Sequence, residues 1–356
     1  MFFKLKKITS ITVSILLCAG CKPLSPHTTI FLGNSSETVK ITDCAQKAKI
    51  TLLSEKEEYP IGEIGKICSN DDFYFFTDKS NTRLFKYNNN GDFISCFNRK
   101  GHAKNEYLNI LDFDIDDKFI YLLCIPNKVI KTNHNFEIQE IVTLMGSYTH
   151  IAVHNTSLYL FEQNLNGRNL VMLGKDKQIT PILSEPPLPA CPKTSNVLFK
   201  SDRNLFFISH GGEKVYLIDG IKTKPIINID YKEKENTLKR YAQDKIISGT
   251  EHLLYPSPHI YSFLELKDTY MIIYSYKMVF NVCEILKETL EITHDGTALF
   301  YGALPIYQCN NRFLSAGFMT YGKKFFGTED IQTEYIGTPN PEYGNAAIIE
   351  INFLLQ

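Results

Sequence analysis

The sequence predicts an all-β chain folded as a six-bladed β-propeller of four-stranded antiparallel blades, with the ring closed by an N-terminal strand. Three observations carry that expectation. A strand-turn-strand unit is written six times, a further apolar strand precedes the copies, and an unpartnered strand near the N-terminus supplies what the last copy lacks. Self-similarity at a period of roughly 20 to 50 residues decides an architecture before any single element does.

The repeat is clearest where FIYLLCIPNKVIKTNHNFEIQEI (119–141) rewords FYFFTDKSNTRLFKYNNNGDFIS (73–95). The other copies are SLYLFEQ…NLVMLGKDKQITPIL, NLFFISH…KVYLIDGIKTKPIINI, TYMIIYS…FNVCEILKETLEI, and RFLSAGF resuming after an insertion as AAIIEINF. Tyr74, Tyr121, Tyr159, Phe206, Tyr270 and Phe313 align across them. Strands such as IGKICSN, ILDFDID, THIAVHN, NVLFKSD and IYSFLEL precede the copies, so the unit has four strands, and six such sheets make a propeller. Tyr and Phe supply 44 residues and Trp none, which fills the space between blades while excluding a Trp-Asp repeat signature. The strand AKITLLS (48–54) has no hairpin partner and is expected to pair with the IIEINF strand, because a ring closed this way leaves no open end blade. One helix is expected, over the charged stretch 231–248.

At the N-terminus, Lys4, Lys6 and Lys7 precede the apolar run Ile8 to Leu17, and Ala19 and Gly20 stand just before Cys21. About ten apolar residues are half a bilayer span, so residues 1–20 read as a signal peptide. The ending LCAGC resembles a bacterial lipobox, with Cys18 where an aliphatic residue is usual. The resemblance implies lipidation at Cys21, and several acyl chains exceed what stable anchoring needs. A redox CxxC is the competing reading, but that motif belongs at a strand-to-helix corner of a folded domain. Residues 21–47 are then expected to be a tether and N-terminal edge segment, with about 15 to 25 flexible residues, and 48–356 the propeller. The stretch after Cys21 carries no acidic residue, which favours the periplasmic leaflet of the outer membrane over the cell surface.

Residues 21–356 carry 35 basic against 39 acidic side chains, a balance that points to neither nucleic acid nor an anionic membrane surface. Seven cysteines follow Cys21, at irregular spacing and mostly in strand-like apolar contexts. They read as small buried hydrophobes, with one incidental disulfide open in an oxidising compartment.

The organisation from about residue 36 to 356 resembles the six-bladed β-propeller lipoproteins of the Bacteroides group, which are similar to NHL propellers. Its most specific segment is GDFISCFNRKGHAKNEYLNILDFDID: Gly101, Glu106, Tyr107 and Asp116 keep the family's shape, while His102, Ala103 and Lys104 replace its Gly-Pro core. The resemblance implies a fold and no particular activity.

Two function classes follow. One is a membrane-tethered binding or scaffold module holding a glycan, a peptide or a partner protein; the other is a hydrolase, lyase or lactonase. Chemistry legible in the chain favours the first. His150 and His154 share a strand face but stand about 13 Å apart. Asp112, Asp114 and Asp116 alternate, as turn-capping and solvated positions do. A nucleophile elbow and a phosphate loop are both missing from the sequence. No metal or cofactor is expected, and a monomer is. Four long insertions (184–195, 232–259, 293–305 and 322–345) sort to the face carrying the interblade and second-to-third-strand connections, opposite short turns such as NNNGD and GKDKQ. Function concentrates on variable loops carried by a rigid scaffold. The candidate contacts on that face are therefore His102 and Glu106 in the first linker, Arg168, His210, Tyr276 and Tyr335.

Overall fold

The computed structural model describes residues 29–353 apart from 34–36, 79, 81, 165–166, 186–195, 210–213, 232–258, 277–278, 299–306, 310–311, 320–330 and 339–344. The N-terminal segment contributes β1 (Thr29–Leu32), β2 (Thr38–Val39), helix α1 (Ile41–Cys44) and β3 (Ala45–Leu52). Blade one is β4 (Ile64–Ser69), β5 (Phe73–Asp78), β6 (Leu84–Asn88) and β7 (Phe93–Phe97); blade two is β8 (Asn109–Ile115), β9 (Phe119–Ile125), β10 (Lys128–Asn133) and β11 (Ile138–Thr143). Blade three is β12 (Tyr148–His154), β13 (Ser157–Asn164), β14 (Gly167–Leu173) and β15 (Ile179–Glu185); blade four is β16 (Leu198–Lys200), β17 (Leu205–Ile208), β18 (Lys214–Asp219) and β19 (Lys222–Tyr231). Blade five is β20 (His259–Glu265), β21 (Thr269–Tyr276), β22 (Val279–Leu286) and β23 (Ile292–Ala298), and blade six holds β24 (Tyr307–Cys309), β25 (Arg312–Met319), β26 (Gln332–Ile336) and β27 (Asn345–Phe353).

Within blades one to five, sequence neighbours are sheet neighbours and pair antiparallel, as short turns require. The middle strands do not alternate apolar and polar residues, because each blade is covered on both faces by its neighbours. Tyr74, Phe75 and Phe76 are all fully buried. Phe76 stacks on Phe85 at 5.2 Å and on Tyr87 at 5.4 Å, so Tyr and Phe do the packing without tryptophan.

Closure is as the sequence suggested. Blade six has the order β24-β25-β27-β3-β26, with Ile50 of β3 opposite Ile349 of β27. The N-terminal segment does more than close the ring: β1 lies parallel to β19 on the rim of blade four, and β2 parallel to β23 on the rim of blade five. A single strap thus covers the outer edges of two consecutive blades and completes the next, removing unpaired strand edges. The first rim strand begins at Thr29, which leaves only residues 22–28 between it and Cys21, a shorter link than expected.

The loop assignments change in two places. The polar run Thr293–Ala298 is the end of strand β23, where Glu284 pairs with His294 Nδ1 at 2.8 Å and Asp295 accepts the Tyr274 hydroxyl at 2.7 Å. Within the insertion 322–345, Gln332–Ile336 forms β26, parallel to β3 at the outermost edge of blade six. The remaining insertions and nearly all of the expected helix lie outside the described residues.

Candidate binding groove and channel

The central channel is lined by the innermost strands and narrows to a hollow of about 30 Å³ between Lys66, Cys68, Asp114, Lys200, Tyr307 and Cys309, among others. Charge fills it. Asp112 accepts Lys66 Nζ at 2.8 Å and the Ile151 amide at 2.8 Å; Asp114 accepts Lys200 Nζ at 2.8 Å and the Val153 amide at 2.8 Å. Innermost strands have one edge with no strand beside it, and buried amides there need acceptors. These two carboxylates therefore sew β8 to β12. Burial alone would lower Lys66, but the Asp112 carboxylate wins and holds it above the usual lysine range. The expectation that Asp112 and Asp114 are solvated is corrected: both are buried, while Asp116 does cap its turn through the amides of Lys118 and Phe119.

On the face carrying the short turns, polar contacts staple several interblade seams. Arg312 of blade six donates to the Asn70 carbonyl at 2.8 Å and the Tyr74 hydroxyl at 2.7 Å in blade one. Lys86 of blade one reaches the His134 carbonyl of blade two at 2.9 Å, and Glu265 of blade five takes Asn204 of blade four at 2.9 Å. Between blades two and three the outer strands part instead. They leave a groove of about 790 Å³ that runs from the channel mouth at Lys200, Ser201 and Asp202 outward between Lys131 and Lys175.

The groove is amphipathic. Val129, Val142, Val153, Leu158 and Leu173 form its apolar floor, and Asp116 to Phe119 and His154 to Thr156 form its lip. Lys131 sits 3.9 Å above the Phe119 ring, a cation held against an aromatic face. Lys177 pairs with Glu140 at 2.8 Å across the opening. Burial and the nearby Lys200 ammonium keep His154 below its ordinary pKa, so the imidazole at the lip is held towards neutrality. Among the described residues, no three His, Cys, Asp or Glu side chains are arranged to hold a metal ion.

The residues singled out from sequence do not converge on this groove. His102 is exposed in the linker between β7 and β8, on the opposite face. Glu106 is turned back on that linker: its carboxylate accepts the Ala103 amide at 2.9 Å, and its carbonyl accepts Lys128 Nζ. With Tyr107 bonding the carbonyls of Thr82 and Phe97, these contacts hold the turn that a Gly-Pro core would otherwise make. Tyr276 is a core residue, 9% exposed, its ring covered by the strap at Gly33, where φ is +77° and a Cβ would strike the ring. Tyr335 stands on β26 at the outer rim, away from the channel mouth. Arg168 has its backbone on β14 opposite Gln163, with its side chain outside the described set; His210 and Cys21 lie wholly outside it. On the long-loop face, a hollow of about 530 Å³ opens among Ile61 to Gly65, Tyr307, Ala316 and Gly317. Sequence reasoning missed the groove because its walls come from ordinary strand and turn residues. The one legible signal was a run of lysines, Lys118, Lys131, Lys175 and Lys177, in consecutive short turns and strands.

The family model DUF5128, described as a 6-bladed beta-propeller, matches residues 22–293. No curated protein matches the sequence. Among solved structures, a Bacteroides fragilis protein described as exported is similar at 15% identity and a TM-score of 0.68, covering 92% of this chain and 100% of its own. BamB from Moraxella catarrhalis is similar at 11% identity and a TM-score of 0.40 over 65% of this chain and 63% of its own. YCF48 bound to D1 peptide is similar at 12% identity and a TM-score of 0.46 over 86% and 96%. At 15% identity, the likeness to the Bacteroides fragilis structure speaks for the fold alone. Among the described residues, no helix is long and apolar enough to cross a membrane.

Proposed function

We propose a function from one premise: the chain belongs to the DUF5128 family of six-bladed β-propellers. It is a binding module anchored through Cys21 to the periplasmic face of the outer membrane, and it holds a glycan or peptide in the groove between blades two and three. The observation that carries this reading is the groove itself. An opening of about 790 Å³ on a rigid ring, with an apolar floor, an aromatic wall and charged lips, has the size and mixed lining of a ligand site. A sugar face or an apolar side chain packs on Phe119 and the valines, while hydroxyls or peptide amides meet Lys118, Lys131 and Asp202. The export reading rests on the signal peptide and LCAGC, and is in keeping with the description of the similar Bacteroides fragilis protein as exported. Seven residues beyond Cys21 reach at most about 25 Å, so the rim of blade four stands beside the bilayer.

A glycan and peptide array probed with the detergent-solubilised mature protein tests the reading. The double variant Phe119→Ala and Lys131→Ala should weaken a captured ligand at least about tenfold, while His102→Ala and Glu106→Ala leave it unchanged. If His102, Arg168 or His210 variants abolish binding and the groove variant does not, the long-loop face is the site. Turnover of the captured ligand would establish the propeller as a hydrolase or lyase instead. Cys21→Ala should release the protein from membranes, and continued membrane fractionation would overturn the anchor.

A further inference from the structure

The ring meets itself where innermost strand β24 of blade six lies beside innermost strand β4 of blade one, and two cysteines meet there. Cys68 on β4 and Cys309 at the end of β24 are both buried, and both line the narrow hollow of the channel. Both are free thiols: Cys309 Sγ donates to the Ile67 carbonyl at 3.6 Å, and Cys68 Sγ donates to Asp114 Oδ1 at 3.8 Å. The Cys309 sulfur thus rests against the residue that precedes Cys68, and both sulfurs face the same hollow. In the closed ring, interaction between the two raises the Cys68 thiol well above its ordinary pKa and lowers that of Cys309. Cys44, Cys96 and Cys124 differ: burial pushes each up to about 12, as for an inert core thiol.

We propose that Cys68 and Cys309 are joined by a disulfide that locks the first blade to the last. The strap strand β3 completes blade six from within. The seam between blades six and one is held by Arg312, by the Thr51–Tyr74 hydroxyl contact and by a shared apolar core, and this sulfur pair stands at its inner end. The oxidant is itself a disulfide, that of a thiol–disulfide oxidoreductase or of a small molecule such as oxidised glutathione. The Cys309 thiolate attacks one sulfur of that disulfide and expels the other as a thiolate. Cys68 gives up its proton and attacks the Cys309 sulfur, expelling the second oxidant thiolate. Two protein thiols lose two electrons and two protons, and one oxidant disulfide becomes two thiols. The pair is buried once the ring is shut, so the exchange belongs to the folding chain, and the finished ring then shields the bond.

The bond is read on the unaltered chain. Protein purified from the cell envelope, and full-length chain refolded with reduced and oxidised glutathione, are alkylated in denaturant, digested without reductant and mapped by mass spectrometry. A linked peptide pair containing Cys68 and Cys309, about 2 Da lighter than the sum of the reduced pair, is the expected result. Thermal unfolding should then begin about 5 to 10 °C lower with dithiothreitol, because a cross-link between distant residues restricts the unfolded chain most. The reductant should not move the transition of a Cys68→Ser, Cys309→Ser chain. Full alkylation of both cysteines in both preparations, or a link from either one to a different cysteine, overturns the proposal.

Discussion

Asp112 and Asp114 show how far a residue's role depends on what stands beside it. In sequence they alternate with apolar residues and read as solvated. In the ring each meets a lysine from another strand and an amide from the next blade. His154 is a sharper case, since its environment gives it a pH signature. Burial and Lys200 hold its folded pKa below the ordinary 6.5, against weaker opposition from Asp114 and Asp219. The unfolded chain therefore takes up the proton first. This contribution to stability is complete above pH 6.5 and is lost as the pH falls below that value towards the lowered folded pKa. Urea midpoints at pH 7.5 and 5.5 should show a decrease that His154→Gln reduces. An equal decrease in the variant would assign the effect to other groups.

At the scale of elements, the strap connects sequence to stability. β2 is two residues long and survives because it is seated against β23, with the Thr297 amide donating to the Glu37 carbonyl at 2.9 Å. That approach needs Gly296, since a Cβ there would be driven into the backbone of Glu37, which has no side-chain rotamer with which to yield. Gly296→Ala should peel the strap from blade five and cost about 1–3 kcal/mol. The checks are a lower urea midpoint and new protease cleavage between residues 33 and 44. Unchanged protection would mean that β2 contributes little. The strands of the repeats were legible because each carries its own apolar run. β2 and the three-residue β24 were not, since neither has a pattern of its own and both exist only against a neighbour already in place.

For the whole molecule, the pairing of β3 with β27 brings together opposite ends of the chain and has the greatest sequence separation in the sheet. Closing so long a loop is slow, so refolding should end in a late phase that reports ring closure. Deleting residues 45–52 should remove that phase and leave β27 with an open edge, visible as self-association in light scattering. A deletion variant as monomeric and as stable as the parent would show that the ring holds without its fourth strand in blade six.

The chain's own pattern determined the number of blades, most strands of each and the strand that closes the ring, because aromatic and β-branched runs separated by turn residues are local information. Local pattern also marked most of the cysteines as buried, as Cys44, Cys68, Cys124, Cys283 and Cys309 are. The tertiary structure alone decided where the groove opens, that Glu106 and Tyr276 serve the scaffold, and that Cys68 and Cys309 line one hollow. Each of those depends on how neighbouring blades tilt and which side chains meet across a seam. Residues far apart in sequence settle such contacts jointly, and no stretch of chain carries them by itself.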